Sequence, residues 1–247
     1  MTRLKGGAAA AAAVVVLLGT LAGCKDMTAG SGSSPDTTAG SGSGGGGGAA
    51  LAAVDSLTVK GRAPKTGYER SRFGTAWADT DSNSCDTRDD ILKRDLKNVK
   101  FTGGTCRVSS GTLKPDPYSG KEVAYRRGRS LVDIDHLVAL SDAWQKGAKY
   151  WDAGKRIALA NDPLNLLAVD ASANRGKGDG DTATWLPPNT SYRCTYVAAQ
   201  VAVKKKYGLW VTSAEKAAMK KVLSTCPGQN LPSGGNPTKA PERFHAN

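Results

Sequence analysis

Two stretches decide how this chain reads: Asp133-Ile134-Asp135-His136-Leu137-Val138, and further on Asn161-Asp162-Pro163-Leu164-Asn165-Leu166-Leu167-Ala168-Val169-Asp170-Ala171-Ser172-Ala173-Asn174-Arg175-Gly176-Lys177-Gly178-Asp179. Residues 131–134 and 165–169 are short apolar runs and read as strands. Asn174 sits on what reads as a following helix. Side chains alternate along a strand, so Asp133 and Asp135 take one face and His136 the other. At a strand's end that regularity can break, which lets Asp135 and His136 reach one site. Read blandly, the polar trio is a solvent-facing edge or a salt-bridged histidine, Asn174 is a turn residue, and Arg175 and Lys177 are solvated charge. Read functionally, a carboxylate and an amide oxygen share a hard cation such as Mg²⁺, with the basic residues turned to phosphate.

Outward from these stretches the pattern is mixed. Residues 87–98 read as a helix capped by Asp86 or Thr87, with acidic Asp89 and Asp90 in its first turn. Residues 99–101 and 106–108 flank Thr102-Gly103-Gly104-Thr105 as a hairpin, and 122–125 reads as another short strand. Residues 142–160 are helical in composition with a break near Gly147. Residues 191–206 form a helix with Tyr192, Tyr196, Ala199 and Val203 on one face. Thr212 with Glu215 makes a capping box for a helix through Leu223. The sum is an α+β single domain over residues 51–226, with short strands and a helical C-terminal third.

The flanks differ in kind. Arg3 and Lys5 precede an apolar run at 8–18, and Leu21-Ala22-Gly23-Cys24 follows, which is export-signal architecture over residues 1–23. The Leu-Ala-Gly-Cys run resembles a bacterial lipobox and makes Cys24 the expected lipidation site, with plain secretion as the alternative. Residues 24–50 are Gly/Ser-rich and read as a disordered tether; residues 227–247 read as a disordered tail. Cys85, Cys106, Cys194 and Cys226 remain, an even count that suits two disulfides in an exported chain. Of three connectivities, Cys85–Cys106 with Cys194–Cys226 is expected because each closes a local loop.

His136 and His245 are the only histidines. A His-Glu-x-x-His zinc protease and a three-histidine zinc site are therefore excluded, and no Gly-x-Ser-x-Gly elbow occurs in the domain. The 34 Lys and Arg against 22 Asp and Glu give +12, which points to an anionic partner. Arg126, Arg127 and Arg129 form one basic group and Lys204, Lys205 and Lys206 another; both are candidates for phosphate-backbone contact, or for acidic cell-wall polymers.

Asp-His, then Asn-Leu-Leu, then Asn-Arg-Gly-Lys together resemble the ββα-metal (His-Asn-His) nuclease motif. The runs at Asp133 to His136 and Asn174 to Lys177 are similar to stretches of the nuclease domain in RNA-guided CRISPR effectors. A wider frame, Cys85-Asp86-Thr87-Arg88-Asp89-Asp90-Ile91-Leu92, Asp116-Pro117-Tyr118-Ser119-Gly120, and Asn161 through Trp185-Leu186-Pro187-Pro188-Asn189, resembles an exported actinobacterial His-Asn-His endonuclease family. Its domain is similar to the C-terminal domain of GmrSD-type modification-dependent restriction endonucleases.

The resemblance implies a ββα-metal (His-Me finger) core and a metal-dependent, largely non-specific DNA endonuclease, with RNA as an alternative substrate, a lipid-anchored membrane location and no legible protein partner. It implies Asp135 and Asn174 as metal ligands, His136 as general base, Asn165 orienting the imidazole, and Lys177 with Arg175 on phosphate. Two positions depart from the pattern: Ala139 stands where a proline is frequent, and Asn174 where many relatives carry His. An Asn ligand favours Mg²⁺, with Mn²⁺ as alternative, over softer metals. Asp179 and Asp181 are weaker metal candidates. Products with 5′-phosphate and 3′-hydroxyl ends are implied. The competing readings are a non-catalytic DNA-binding or uptake lipoprotein on the same fold, and an envelope protein that binds anionic polymers.

Overall fold

The computed structural model of the chain describes residues 49–129 and 131–246. The expected leader, the lipidation site Cys24 and almost all of the expected tether lie outside the described residues. The architecture is mixed α+β. The described part begins with α1 (Ala49–Asp55), whose Ala50, Ala53 and Val54 are buried, so this helix includes the last two residues of the expected tether. A 3-10 turn at Arg70–Phe73 follows. Next comes α2 (Thr87–Asp95), where the Asp86 carboxylate caps the Asp89 N–H.

That helix was expected to run to Asn98. It stops at Asp95 because Leu96 is already extended and Lys97 opens β1 (Lys97–Phe101). Pairing with β2 (Val108–Leu113) takes precedence over local helical composition. β3 (Val123–Arg126) completes a three-stranded antiparallel sheet in the order β1-β2-β3.

A second sheet holds only two strands, β4 (Val132–His136) and β5 (Leu166–Asp170), antiparallel with Asp135 opposite Leu167 and His136 opposite Leu166. Between them lie α3 (Leu140–Gln145), a 3-10 turn at Ala148–Tyr150 and α4 (Ala153–Ala160). The break expected near Gly147 is there, at a glycine with φ of 134°. β5 runs directly into α5 (Ala171–Lys177), capped by Asp170. The C-terminal third is α6 (Arg193–Tyr207) and α7 (Ser213–Leu223).

The two-stranded sheet is buried between layers. Val132, Ile134, Leu166 and Ala168 pack with Ile91 and Leu92 of α2 and with the three-stranded sheet. Leu137 and Val169 pack with α1, α6 and α7. A third cluster joins Phe73, Trp144, Ile157 and Tyr207. Cys85 is joined to Cys106 and Cys194 to Cys226, tying loop to hairpin and α6 to the end of α7.

Two local expectations change. Thr212 does accept the Glu215 N–H as a cap, but the Glu215 carboxylate does not reach back to complete a box. It is fully buried and ion-paired to Lys146 and Lys204. Residues 227–246 form no helix or strand, in keeping with their composition. They nonetheless lie on the domain: Asn236 donates to the Thr80 hydroxyl, Ala240 is buried and donates to the Gly154 carbonyl, and Arg243 donates to the Asp79 carbonyl. A sequence poor in core residues still orders where backbone groups find partners.

Candidate functional site

The site forms where β4 ends. The expected alternation holds: Asp133 and Asp135 face α5, and His136 faces the opposite side. Asn174 Nδ2 donates to Asp133 Oδ2 at 3.2 Å. Lys177 Nζ donates to Asp135 Oδ1 at 3.0 Å and to the His136 carbonyl at 2.8 Å. Because His136 is the last residue of its strand, Asp135, His136, Asn174 and Asp179 still line one cavity of about 240 Å³, with Tyr68 and Arg70 at its side.

His136 is buried. Its Nε2 lies 2.9 Å from the Ala160 carbonyl at the end of α4. A carbonyl only accepts, so Nε2 carries the proton and the neutral ring keeps its lone pair on Nδ1. No hydrogen bond to Nδ1 occurs among the described residues. The Trp77 ring lies nearly parallel to the imidazole, 12° between planes at 6.2 Å. Burial pushes the His136 pKa down to about 3, helped by the charge of Arg70 and opposed by the Ala160 hydrogen bond. The imidazole is therefore neutral at pH 7.

Asp135 is held from two sides. Tyr118, fully buried, donates its hydroxyl to Oδ2 at 2.5 Å, and Lys177 takes Oδ1. Burial raises the Asp135 pKa, while Lys177 and Tyr118 pull it down. Tyr118 is itself fixed by its turn. Asp116 accepts from the Ser119 and Asp170 N–H groups, Asn189 donates to the Pro117 carbonyl, and Trp185 packs edge-on at 5.0 Å. This accounts for two quoted segments, 116–120 and 185–189: they hold the carboxylate from behind.

Several expected roles change on this geometry. Asn165 does not touch the imidazole. Its Oδ1 accepts the Val138 N–H at 2.9 Å, its carbonyl accepts the Leu137 N–H at 2.8 Å, and its Nδ2 donates to the Leu159 carbonyl at 3.3 Å. It shapes the turn leaving His136, and the Ala160 carbonyl orients the ring. Lys177 is buried with its ammonium spent on Asp135 and His136, so it stands behind the carboxylate rather than open to phosphate. Arg175 is exposed on the last turn of α5. Asp179 lines the cavity and pairs with Lys65, whereas Asp181 is buried beside Lys146 and Arg62.

The expected Lys204–206 patch is not a patch. Lys204 is fully buried against Asp142 and Glu215, and Lys206 pairs with Asp162; only Lys205 is exposed. A helix composition cannot reveal which of three lysines turns inward. Arg127 is likewise committed to Asp89 and the Val108 carbonyl, while Arg126 is exposed.

Sequence reasoning missed Arg70, Tyr68, Trp77 and Tyr118. Tyr118 stood in a recognised segment but carried no role. Arg70, Tyr68 and Trp77 lie far before the motif and carry no spacing signal. Among the described residues no group of three or more His, Cys, Asp or Glu side chains is placed to hold a metal, and no helix is long and apolar enough to cross a membrane.

The chain belongs to the family "GmrSD restriction endonucleases, C-terminal domain", whose profile matches residues 86–222. It is also 42% identical over 179 residues, 72% of this chain and 84% of the relative, to a protein of Arthroderma benhamiae described as an uncharacterized secreted protein. No solved structure shows significant similarity. The family gives the domain a nuclease-related role with nucleic acid as its partner. Two disulfides and a relative labelled secreted are consistent with export.

Proposed function

We propose that this domain is a metal-dependent endonuclease of the His-Asn-His type that hydrolyses phosphodiester bonds of DNA with little sequence preference. The observation that carries the reading is the state of His136. Its Nε2–H is donated to Ala160, its Nδ1 has no hydrogen-bond partner among the described residues, and the residue lines a cavity together with Asp135 and Asn174. That is the preparation a general base requires: Nδ1 accepts a proton from the attacking water, and Ala160 fixes the tautomer that leaves Nδ1 free to do so.

The donor set fits a hard cation. Asp135 offers a carboxylate, and Asn174 offers Oδ1, since its Nδ2 is taken by Asp133. Those two residues would hold Mg²⁺ or Mn²⁺, with Asp179 at the edge of the same cavity. When bound, the cation supplies charge stabilisation for the phosphoryl and leaving oxygens. Lys177 and Tyr118 hold the Asp135 carboxylate in place with a hydrogen bond to each oxygen. Arg70 and Arg175, both exposed near the cavity and α5 respectively, contact phosphate oxygens.

The test is cleavage of plasmid and oligonucleotide by the protein with disulfides intact, comparing Mg²⁺, Mn²⁺ and EDTA. His136→Ala is expected to lower the rate by about 10²–10⁴ without loss of fold. Binding with no metal-dependent cleavage by folded wild-type protein would overturn the reading in favour of a non-catalytic nucleic-acid-binding domain. Export and a lipid anchor at Cys24 belong to the same proposal; labelling with a fatty-acid analogue that is lost in Cys24→Ser tests the anchor.

A further inference from the structure

A second cavity, of about 260 Å³, is also lined by His136. It shares Arg70, His136 and Leu140 with the polar cavity and is otherwise lined by Ser71, the segment from Phe73 to Trp77, Ala160 and Asn161. Its character is different. Aromatic and aliphatic side chains dominate, and no carboxylate lines it. It is smaller than the about 300–1,000 Å³ of a typical drug-sized site, so it takes one ring system and not a run of them.

Three features make this a built cavity. Trp77 is held at φ of 62°, a left-handed conformation costly for a bulky residue. It keeps its ring nearly parallel to His136, with the Arg88 guanidinium over it at 5.8 Å. Gly74 has φ of 80°, and a Cβ there would meet Ile157 Cγ1 at 2.7 Å, so the loop is pressed onto α4. Asn161 is almost wholly buried in the lining; its Nδ2 donates to the Ile157 carbonyl, and its Oδ1 has no hydrogen-bond partner. Phe73 and Trp77 line the cavity and the exposed Arg70 is shared with the polar one, walls that suit a flat aromatic ring attached to a phosphate.

We infer that this cavity receives a single unstacked nucleobase of the strand being cut, the one next to the phosphate held at His136 and Arg70. The inference rests on the nuclease reading above and adds the substrate form. A base inside this cavity has left its helical stack, so single-stranded or locally unpaired nucleic acid is the preferred substrate over intact duplex. Trp77 is the stacking surface, and Arg70 bridges the two cavities at the phosphate.

The experiment measures direct binding of deoxyadenosine 5′-monophosphate and of deoxyribose 5-phosphate to the full chain, by equilibrium dialysis or by chemical-shift perturbation. In parallel, cleavage rates are measured on a single-stranded oligonucleotide and on its duplex. The expected result is at least tenfold weaker binding of the sugar phosphate than of the nucleotide. Ala76→Trp, at the exposed rim, should block the cavity and remove that difference; Trp77→Ala should weaken nucleotide binding several-fold. Single strands should be cut at least tenfold faster than duplex.

Equal binding of the two probes would mean a phosphate site only and would overturn the inference. So would wild-type cleavage of duplex and single strand at equal rates. Cleavage with no detectable preference for the nucleotide would sink the base cavity and leave the nuclease standing. Nucleotide binding that Ala76→Trp abolishes, in a protein that cuts nothing, would retain the cavity and sink the nuclease.

Discussion

Two clusters of buried charge lie within this domain, and they are built on opposite terms. In the first, Lys146 at the end of α3 pairs with Asp142, Asp181 and Glu215 at 2.7, 2.8 and 2.6 Å. Lys204 of α6 pairs with Asp142 and Glu215 at 3.2 and 3.0 Å, and Arg62 closes the group onto Asp142 and Asp181. The three cations balance the three anions, and each of these charges has a partner. In the second, around His136, the charges are few, Nδ1 has no hydrogen-bond partner among the described residues, and the groups around it, Tyr118, Lys177 and Ala160, hold the site in place. A closed network spends its hydrogen-bonding capacity on architecture, joining α3, α6, α7 and the segment before the first turn. An open one keeps capacity in reserve for something that arrives. Charge and burial alone do not separate the two; what remains unpaired does.

Breaking the closed network should produce the largest effect on stability. Glu215→Gln leaves two buried ammonium groups short of a carboxylate and is expected to cost about 3–5 kcal/mol, read as the shift in a urea unfolding curve. The pair change Lys204→Met with Glu215→Leu should recover much of that loss, because two charges leave together. A double mutant no more stable than Glu215→Gln would show that the network's worth lies in more than charge balance.

Reducing the Cys194–Cys226 bond, which closes a loop over a sequence separation of 32, is expected to cost about 2–4 kcal/mol. Thermal unfolding of Cys194→Ser with Cys226→Ser measures it.

The acid side of the stability curve sharpens the comparison next. Burial acts to raise the Asp142 pKa, but Lys204, Lys146 and Arg62 outweigh it and hold the carboxyl down to about 2. A depressed folded-state pKa gives stability that is full above the unfolded value near ~4 and lost as pH falls through about 2. About 2 kcal/mol should therefore disappear across that window, and Asp142→Asn, though less stable throughout, should lose this component of the slope. The smallest effect belongs to the surface: Lys65→Ala removes a solvent-exposed pair with Asp179 and should change stability by no more than about 1 kcal/mol.

The sequence made the elements around the site legible. The apolar runs before His136 and after Asn165 became β4 and β5. Asp86 capped α2 and Thr212 capped α7, the break near Gly147 fell where expected, and the two local cysteine pairs joined. These are short-range signals: side-chain periodicity, a cap within four residues, a loop closed nearby. Asp135, His136 and Asn174 were named from the chain alone, because their spacing resembles a known motif and both short strands end where side chains can converge.

Partnership across distance was not legible. Nothing local says that the Ala160 carbonyl, and not Asn165, meets the imidazole, since Ala160 ends α4 and Asn165 follows within a few residues, and only where the end of that helix sits against His136 chooses between them. Lys177 and Lys204 looked like solvent-facing charge, as most lysines are. Each turned inward because a buried carboxylate from a distant segment, Asp135 or Asp142, requires a counter-charge more than the lysine requires water. Trp77 and Arg70 reached the site from a stretch with no motif, carried there by the contact of the Arg70–Phe73 turn with α4. The sequence by itself determined which strands and helices form and which groups carry chemistry, because those follow from neighbours along the chain. The tertiary structure decided which of those groups are spent and which are left free, because pairing buried charge is a problem solved across the fold.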